Sequence, residues 1–445
     1  MKQASVITLG CKVNTYDTTL IWEGLEEKGY RVSDRMDYAD LYVINTCTVT
    51  NSASSQSRQV IRKVKKLNPH SVVVVTGCFA QVSPEEIRAM NDVTYLVGNG
   101  EKGEIAHLLE RLDGTLQGAP EVGDIALVDK LEYRPLKRFP GKSRAFLRVQ
   151  DGCEAYCSYC IIPYARGKSR SLSVGAVEDQ VLALAEAGQS EIILTGIHLG
   201  GYGLDLTGDE NLLSLLKRLD NLDIETRFRI SSLEPTEIDD ALLEFLVSSK
   251  KICRHLHIPL QSGDAGILKR MGRKYTPEFY RERIETIASR WPGVAIGIDV
   301  IAGFPGEDGE AFMNGYRLLE ALPAAYLHVF PYSNREGTPA AVMKGQVSKP
   351  ETKARCAMLR ELGESKKDAF CRNFLGERLN VVAVEQKDGL LKTLSDNYIE
   401  VFLENSEDFV GGVFDVCFEH MEKNRCMGRL IGRDGKKTSN KKSLH

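Results

Sequence analysis

The sequence predicts an α/β protein in three parts: a doubly wound parallel α/β domain, a partial (β/α)6 barrel and a small all-β barrel. Three observations carry this. Residues 1 to about 130 alternate short apolar runs with amphipathic segments; from Ala145 the alternation resumes through six strand-like runs; and after Arg378 about five short β-like runs crowd into some 55 residues. A chain of 445 residues exceeds what one core organises, so several domains are expected. Lys plus Arg total 58 against 61 for Asp plus Glu, so the net charge of −3 excludes a global pull toward nucleic acid and confines any basic surface to local patches.

In the first part, Ser5 to Leu9, Leu41 to Asn45 and Ser71 to Thr76 read as buried parallel strands, separated by amphipathic Tyr16 to Lys28 and Ser57 to Leu67. Each strand runs into a cysteine beside turn-forming neighbours: Gly10-Cys11, Thr46-Cys47 and Gly77-Cys78. Carboxyl ends of parallel strands share one sheet edge, where such folds place ligands, so Cys11, Cys47 and Cys78 are expected to converge. Three buried packing cysteines are the competing explanation. Asp113 to Gly141, with four glycines and three prolines, reads as a connection.

Directly after the strand-like Ala145 to Val149 come Cys153, Cys157 and Cys160, spaced C-x3-C-x2-C. Three thiolates fall short of the four that a closed zinc or iron–sulfur site needs, which leaves either a coordination position for a ligand or a structural zinc with a distant fourth partner. Further strands are expected near 191–196, 227–232, 255–261, 294–303 and 325–333, with helices such as Val177 to Ala187 and Pro235 to Val247 between them. His255 and His257 share a strand face and read as packed or hydrogen-bonded residues. Pro350 to Phe374 reads as one long helix, and Arg378 to Gly432 as a small OB-like barrel, a frequent oligonucleotide binder. From Arg429 to His445, six Lys or Arg stand against one acid, a basic tail that either solubilises or meets RNA.

The first residues, Met1 to Ser5, lack a signal core, and the longest apolar run, near Val72 to Val75, is far short of the ~20 residues of a membrane span. A cytoplasmic location is therefore expected, where eleven cysteines serve metal ligation or packing rather than disulfides.

The C-x3-C-x2-C loop resembles the signature of the radical S-adenosylmethionine (AdoMet) enzymes. That resemblance implies that Cys153, Cys157 and Cys160 hold a [4Fe-4S] cluster whose fourth iron is chelated by AdoMet, with Tyr159 against the adenine. Other strand ends then become AdoMet-binding candidates: Gly196, Ser231, Ser232, Gln261, Asp299, Ile301 and Gly303, because glycine permits close approach and Ser, Gln and Asp offer hydrogen bonds. Across essentially the whole chain, the order of parts is similar to that of the radical AdoMet methylthiotransferase family. The divisions expected are a methylthiotransferase domain with an auxiliary cluster (1–125), a radical AdoMet domain (140–345), a linking helix (346–375), a TRAM RNA-binding domain (376–433) and the tail (434–445).

The wording Thr8 to Asn14, Asn45 to Thr50 and Cys160 to Gly167 resembles the branch that modifies threonylcarbamoyladenosine beside the tRNA anticodon. Sister branches act on isopentenyladenosine or on a ribosomal-protein aspartate. Glu154-Ala155-Tyr156 departs from the Asn-Asn-Phe frequent in the family's loop, keeping the aromatic residue and touching no ligand position. What the resemblance implies is two [4Fe-4S] clusters, the second on Cys11, Cys47 and Cys78, and two AdoMet per turnover. It also implies a tRNA anticodon stem-loop as substrate, a sulfur donor, and a low-potential electron donor such as flavodoxin or ferredoxin.

Overall fold

The structure is a computed structural model that describes residues 2–110, 122–139, 143–404, 412–423 and 425–431. Its amino-terminal sheet is parallel, in the order Arg31–Ser33, Gln3–Thr8, Leu41–Thr46, Val72–Gly77, Tyr95–Leu96. The two outer strands have only 3 and 2 residues, too few to show a period in sequence. The inner three are the predicted ones, and helices Lys12–Glu27 and Asn51–Leu67 cover them. Thr50 caps the second helix, its side chain accepting from Ala53 N at 3.1 Å.

Six parallel strands form the centre: Arg144–Arg148, Glu191–Thr195, Arg227–Ile230, His255–His257, Ala295–Ala302 and Tyr326–Pro331. They pair as two triplets joined by the bridges Phe228↔Ile252 and Ser232↔His257, which makes an open, partial barrel. Among the described residues, strand pairing does not close the gap between first and sixth strands. The amino-terminal unit spans it: Lys12–Glu27 packs on the first strand, while Arg335, beyond the sixth, donates to Asn51 Oδ1 (2.6 Å), Ser54 Oγ (3.2 Å) and Thr48 Oγ1 (2.5 Å).

One predicted helix is divided. Pro235 to Val247 begins as the short turn Pro235–Glu237, and the α-helix starts only at Asp240, because Asp239 stays extended and caps Leu242 N at 2.7 Å. Within the connection before the barrel, Leu136 is pinned: Gln180 bonds both its N–H and its C=O, at 2.6 and 2.7 Å.

Helix Lys349–Arg372 packs along the sixth strand and leads into a closed five-stranded barrel of Arg378–Lys387, Leu390–Ser395, Glu400–Leu403, Val413–Glu422 and Arg425–Leu430. This barrel docks under the amino-terminal ends of the central strands. There Arg227 donates to Asn380 O (3.0 Å) and Leu394 O (3.0 Å), and Arg229 donates to Ser395 O (2.9 Å) and Asp396 O (3.0 Å). Both guanidiniums also hold the fully buried Glu191, as does Arg144. Burial opposes the ionisation of Glu191, but Arg229, Arg144 and Arg227 outweigh it and hold its carboxyl well below the usual range.

A depressed folded pKa contributes stability that is complete above the unfolded value of about 4.3 and fades as the pH falls below it. Glu191→Gln, which leaves three guanidiniums without their carboxylate, is expected to cost about 3–5 kcal/mol at neutral pH and to flatten the acid limb of the stability curve. Denaturant midpoints measured from pH 7 down to pH 3 check this. Parallel wild-type and variant curves would refute it.

Candidate active site

Cys11, Cys47 and Cys78 meet at the carboxyl edge of the amino-terminal sheet, as the strand ends predict. Gly10 (φ +102°) and Gly77 (φ +95°) make the approach possible. A Cβ on Gly10 would lie 2.8 Å from Cys47 Cβ, and one on Gly77 would lie 2.5 Å from Thr46 O. Asn14 ties the loops together by donating to Leu9 O (2.7 Å) and Thr46 O (3.0 Å), and Asn45 returns a bond to Asn14 O (3.0 Å). Burial pushes the Cys47 thiol up to about 11 and raises that of Cys11.

Cys153, Cys157 and Cys160 occupy the loop beyond the first barrel strand. Gly152 (φ +78°) starts it, since any side chain there would overlap the Lys168 carbonyl. Cys153 N bonds Gly167 O, Cys160 N bonds Cys157 O, and Ser158 N bonds Met271 O, which pins the loop to the helix Ala265–Met271. N–H donors point at the sulfurs: Arg273 Nη1 lies 3.4 Å from Cys157 Sγ, and Ala155 N lies 3.5 Å from Cys153 Sγ. His198 meets both Cys153 and Glu237, and these contacts push its imidazole up to about 10.

Arg166 joins the two sites. It ends the short helix Ile162–Arg166 after Cys160, is fully buried, and reaches the other unit, where Nε lies 3.4 Å from Cys78 Sγ. Nη1 bonds Asp17 Oδ2 (3.2 Å) and Asp151 Oδ2 (3.0 Å), and Nη2 bonds Asn14 Oδ1. Lys102 and Arg148 complete the network at 2.7 and 2.6 Å from Asp17. Burial resists the ionisation of Asp17, yet Lys102, Arg148 and Arg166 hold its carboxyl far below the usual range. Three cations against two carboxylates leave positive charge beside Cys78, suited to bound thiolates.

The barrel lumen is built from every second residue of each strand. Asp299 Oδ1 sits 3.0 Å from His257 Nε2 and 3.3 Å from His328 Nδ1, and burial of its carboxylate is outweighed by these imidazoles. The His257–Asp299 pair is close yet misaligned, and neither atom has a partner of hydrogen-bond geometry. Lower down, Tyr398 from the carboxyl-terminal barrel stacks on His255 (4.2 Å) and Tyr326 (5.4 Å). Lys12, next to Cys11, extends into electrostatic range of Arg144, Arg229, Glu191 and Asp299; burial and the two arginines lower its pKa to about 8.

Residues 3–98 match the model of the uncharacterized protein family UPF0004, and residues 147–319 that of the radical SAM superfamily. The chain is 41% identical to the threonylcarbamoyladenosine tRNA methylthiotransferase MtaB of Bacillus subtilis (strain 168), over 92% of each protein. It is 39% identical to the protein of that name from Aquifex aeolicus (strain VF5), over 90% of this chain and 96% of that one. The chain belongs to the radical AdoMet methylthiotransferase family. Among solved structures, the radical S-adenosylmethionine methyltransferase TsrM from Kitasatospora setae, with cobalamin and a [4Fe-4S] cluster bound, shares the fold at TM-score 0.57 and 18% identity, over 77% of each chain.

Members of this methylthiotransferase family use two [4Fe-4S] clusters and AdoMet, and the donor sets here fit such groups. Among the described residues, the one trio of possible ligands with all donor atoms within 4.8 Å is His257, Asp299 and His328. The cysteine trios are thus more widely spaced than a single ion requires, as a cube of four irons needs. Of the AdoMet candidates, Ser231, Ser232 and Asp299 face the lumen, with Ser232 Oγ 2.8 Å from His257 Nδ1. Gly196 lies against Gln150 and Leu199, and Gln261 (φ +67°) bonds back to Asp299 O and Ile301 N. Tyr159 packs edge-on to Phe304 (6.5 Å) among Ile301 and Tyr332, and Gly303 abuts Thr352 while its N–H bonds Glu307.

Arg166, Arg273, His198, Lys12 and His328 are the functional candidates that sequence reasoning did not single out; each acts across a separation no local pattern encodes. Cys253, Cys356, Cys371, Cys417 and Cys426 lie outside both trios, with Cys371 and Cys426 sharing the core of the last barrel. Replacing Arg166 by Met removes the cation that Asp17 and Asp151 share across the two units, at an expected cost of about 3–5 kcal/mol. A denaturant midpoint equal to that of the wild type would contradict the bridging role.

Proposed function

We propose that the chain is a cytoplasmic tRNA methylthiotransferase that converts N6-threonylcarbamoyladenosine at position 37, on the 3′ side of the anticodon, to its 2-methylthio derivative. The observation that carries this reading is the pair of cysteine trios joined by Arg166, which follows Cys160 and lies 3.4 Å from Cys78 Sγ. In this reading Cys153, Cys157 and Cys160 hold the radical-generating cluster, and Cys11, Cys47 and Cys78 hold the auxiliary one. The divisions are 1–125, 140–345, 346–375, 376–433 and 434–445. When bound, the clusters and AdoMet supply one-electron chemistry that removes hydrogen from adenine C2 and a methylated sulfur that replaces it.

The chain's own residues position and shield. Arg273 and Ala155 N–H groups donate toward the sulfurs of Cys157 and Cys153 and orient them. Asn99 Nδ2, 3.8 Å from Cys78 Sγ and 2.6 Å from Ala165 O, does the same across the boundary between the units. Gly196, Ser231, Ser232, Gln261, Asp299, Ile301 and Gly303 are the candidate AdoMet contacts at the strand ends, together with Tyr159. A sulfur donor and a low-potential electron donor of the flavodoxin or ferredoxin kind complete the reaction.

Exposed arginines of the carboxyl-terminal barrel are matched by acids, Arg378 by Asp415, Arg425 by Asp388 and Arg429 by Glu419. Phosphate attraction therefore falls more heavily on Lys436, Lys437, Lys441 and Lys442, which lie outside the described residues. Truncation after Gly435 should lower the salt slope of log K for tRNA by about 0.9 for each phosphate the tail no longer neutralises. An unchanged slope would assign no RNA binding to the tail.

The ligand sets are tested by triple replacement with Ala. The Cys153/Cys157/Cys160 variant should retain one reconstituted cluster and form no 5′-deoxyadenosine. The Cys11/Cys47/Cys78 variant should also keep one cluster and still cleave AdoMet reductively, but yield no methylthio product. Iron and sulfide analysis with nucleoside mass spectrometry reads both; full iron content in either variant would overturn the assignment.

A further inference from the structure

The sixth central strand carries an uncovered aromatic ring on its lumen face. Along Tyr326–Pro331 the side chains alternate between two faces. Leu327 and Val329 pack outward into the core beneath the helix Lys349–Arg372, where a Cβ on Gly363 would lie 3.2 Å from Leu327 Cβ. Tyr326, His328 and Phe330 take the opposite face: His328 Nδ1 lies 3.3 Å from Asp299 Oδ1, and the Phe330 ring meets that of His328 edge-on at 6.4 Å. Tyr326 is covered by Tyr398 and His328 is held by Asp299, whereas Phe330 remains 43% exposed. Among the described residues of the six central strands, no other large apolar side chain is exposed.

The strand end that carries this ring joins the surroundings of the two cysteine trios. Phe330 pairs in register with Ile301, and Ile301 packs on the same small core as Tyr159, the residue before Cys160. Three residues beyond Phe330, Ser333 Oγ accepts from Asn51 N (3.0 Å) and Asn334 O accepts from Asn51 Nδ2 (2.8 Å), four residues after Cys47. An aromatic face left bare inside a cavity offers a flat ring both burial and stacking. Nucleobases are such rings, and enzymes that act on a base turned out of its strand hold it against aromatic or apolar side chains.

We propose that Phe330 is the platform on which the target adenine stacks, a positioning residue that fixes the plane of the ring. This rests on the tRNA-adenosine reading above and deepens it. Stacking engages the face of the purine and not its N6 substituent, so the platform orients the base without choosing what it carries.

The test is equilibrium binding of two anticodon stem-loop RNAs to the cluster-loaded enzyme, one with N6-threonylcarbamoyladenosine at the target position and one abasic there, with AdoMet affinity measured alongside. The wild type should prefer the base-bearing RNA at least about tenfold, Phe330→Ala should cut that preference by about tenfold, and Phe330→Tyr should keep it. A preference undiminished in Phe330→Ala would overturn the inference, as would a parallel loss of AdoMet affinity, which would place AdoMet rather than the substrate base on the ring. If Phe330→Ala fails to load iron, Phe330→Leu, which keeps the bulk without the aromatic face, decides on the same ratio: a several-fold drop supports the platform and an unchanged ratio overturns it. Wild-type indifference to the base would also overturn it where the RNA is still methylthiolated; where no methylthio product forms either, the tRNA-adenosine reading itself fails.

Discussion

The arrangement depends on a buried ionic network that crosses from one cysteine-bearing unit to the other. Arg166 follows Cys160 in sequence, yet its guanidinium is shared by Asp17, Asp151, Asn14 and Cys78. Burying so many charges is stabilising only while every partner is present, because the desolvation cost of each ion is several kcal/mol before pairing offsets it. Such a network weakens sharply when its geometry is disturbed. It therefore fixes the distance between the two cysteine trios more strictly than an apolar interface of equal area would, and a reaction that moves a group between two centres needs that distance fixed.

A second polar junction closes the lumen from below. Arg227 and Arg229 satisfy Glu191 on the inside and backbone carbonyls of the carboxyl-terminal barrel on the outside, while Tyr398 lies on His255 and Tyr326 like a stopper. Tyr398 adopts φ +67°, an unfavourable conformation for a tyrosine that is held by the turn from Ser395 to Ile399. The small barrel is thus the floor of the site, which gives the long helix Lys349–Arg372 a reason to run the length of the barrel and return the chain to its underside.

Much of this was legible in sequence. The inner strands, the three-part order, both cysteine trios and the five β-strands of the last barrel follow from period-two and period-3.6 patterns and from cysteines at strand ends, which are local signals. The edge strands Arg31–Ser33 and Tyr95–Leu96 were too short to show a period, and Asp239 ended one predicted helix early by capping the next. Arg166 lay within a stretch whose wording resembles the family, but nothing local distinguishes a guanidinium that crosses to Asp17, 149 positions away, from one that faces water. His257 was visible as one of a histidine pair, whereas its meeting with Asp299 and His328 depends on strand register across two crossovers, which no spacing records.

The closures together constrain how a substrate enters. The amino-terminal unit spans the lateral gap through Asp17 and Arg335, and the carboxyl-terminal barrel seals the floor through Arg227 and Arg229. The remaining approach is from the carboxyl ends of the strands, where the Cys153 loop lies. In the reading proposed above, an adenosine can reach the space between the trios only as a single nucleotide turned out of its loop, with its base leading. The unpaired anticodon loop makes that movement inexpensive compared with opening a duplex, since no base pair has to be broken. The backbone left outside is then held without regard to sequence.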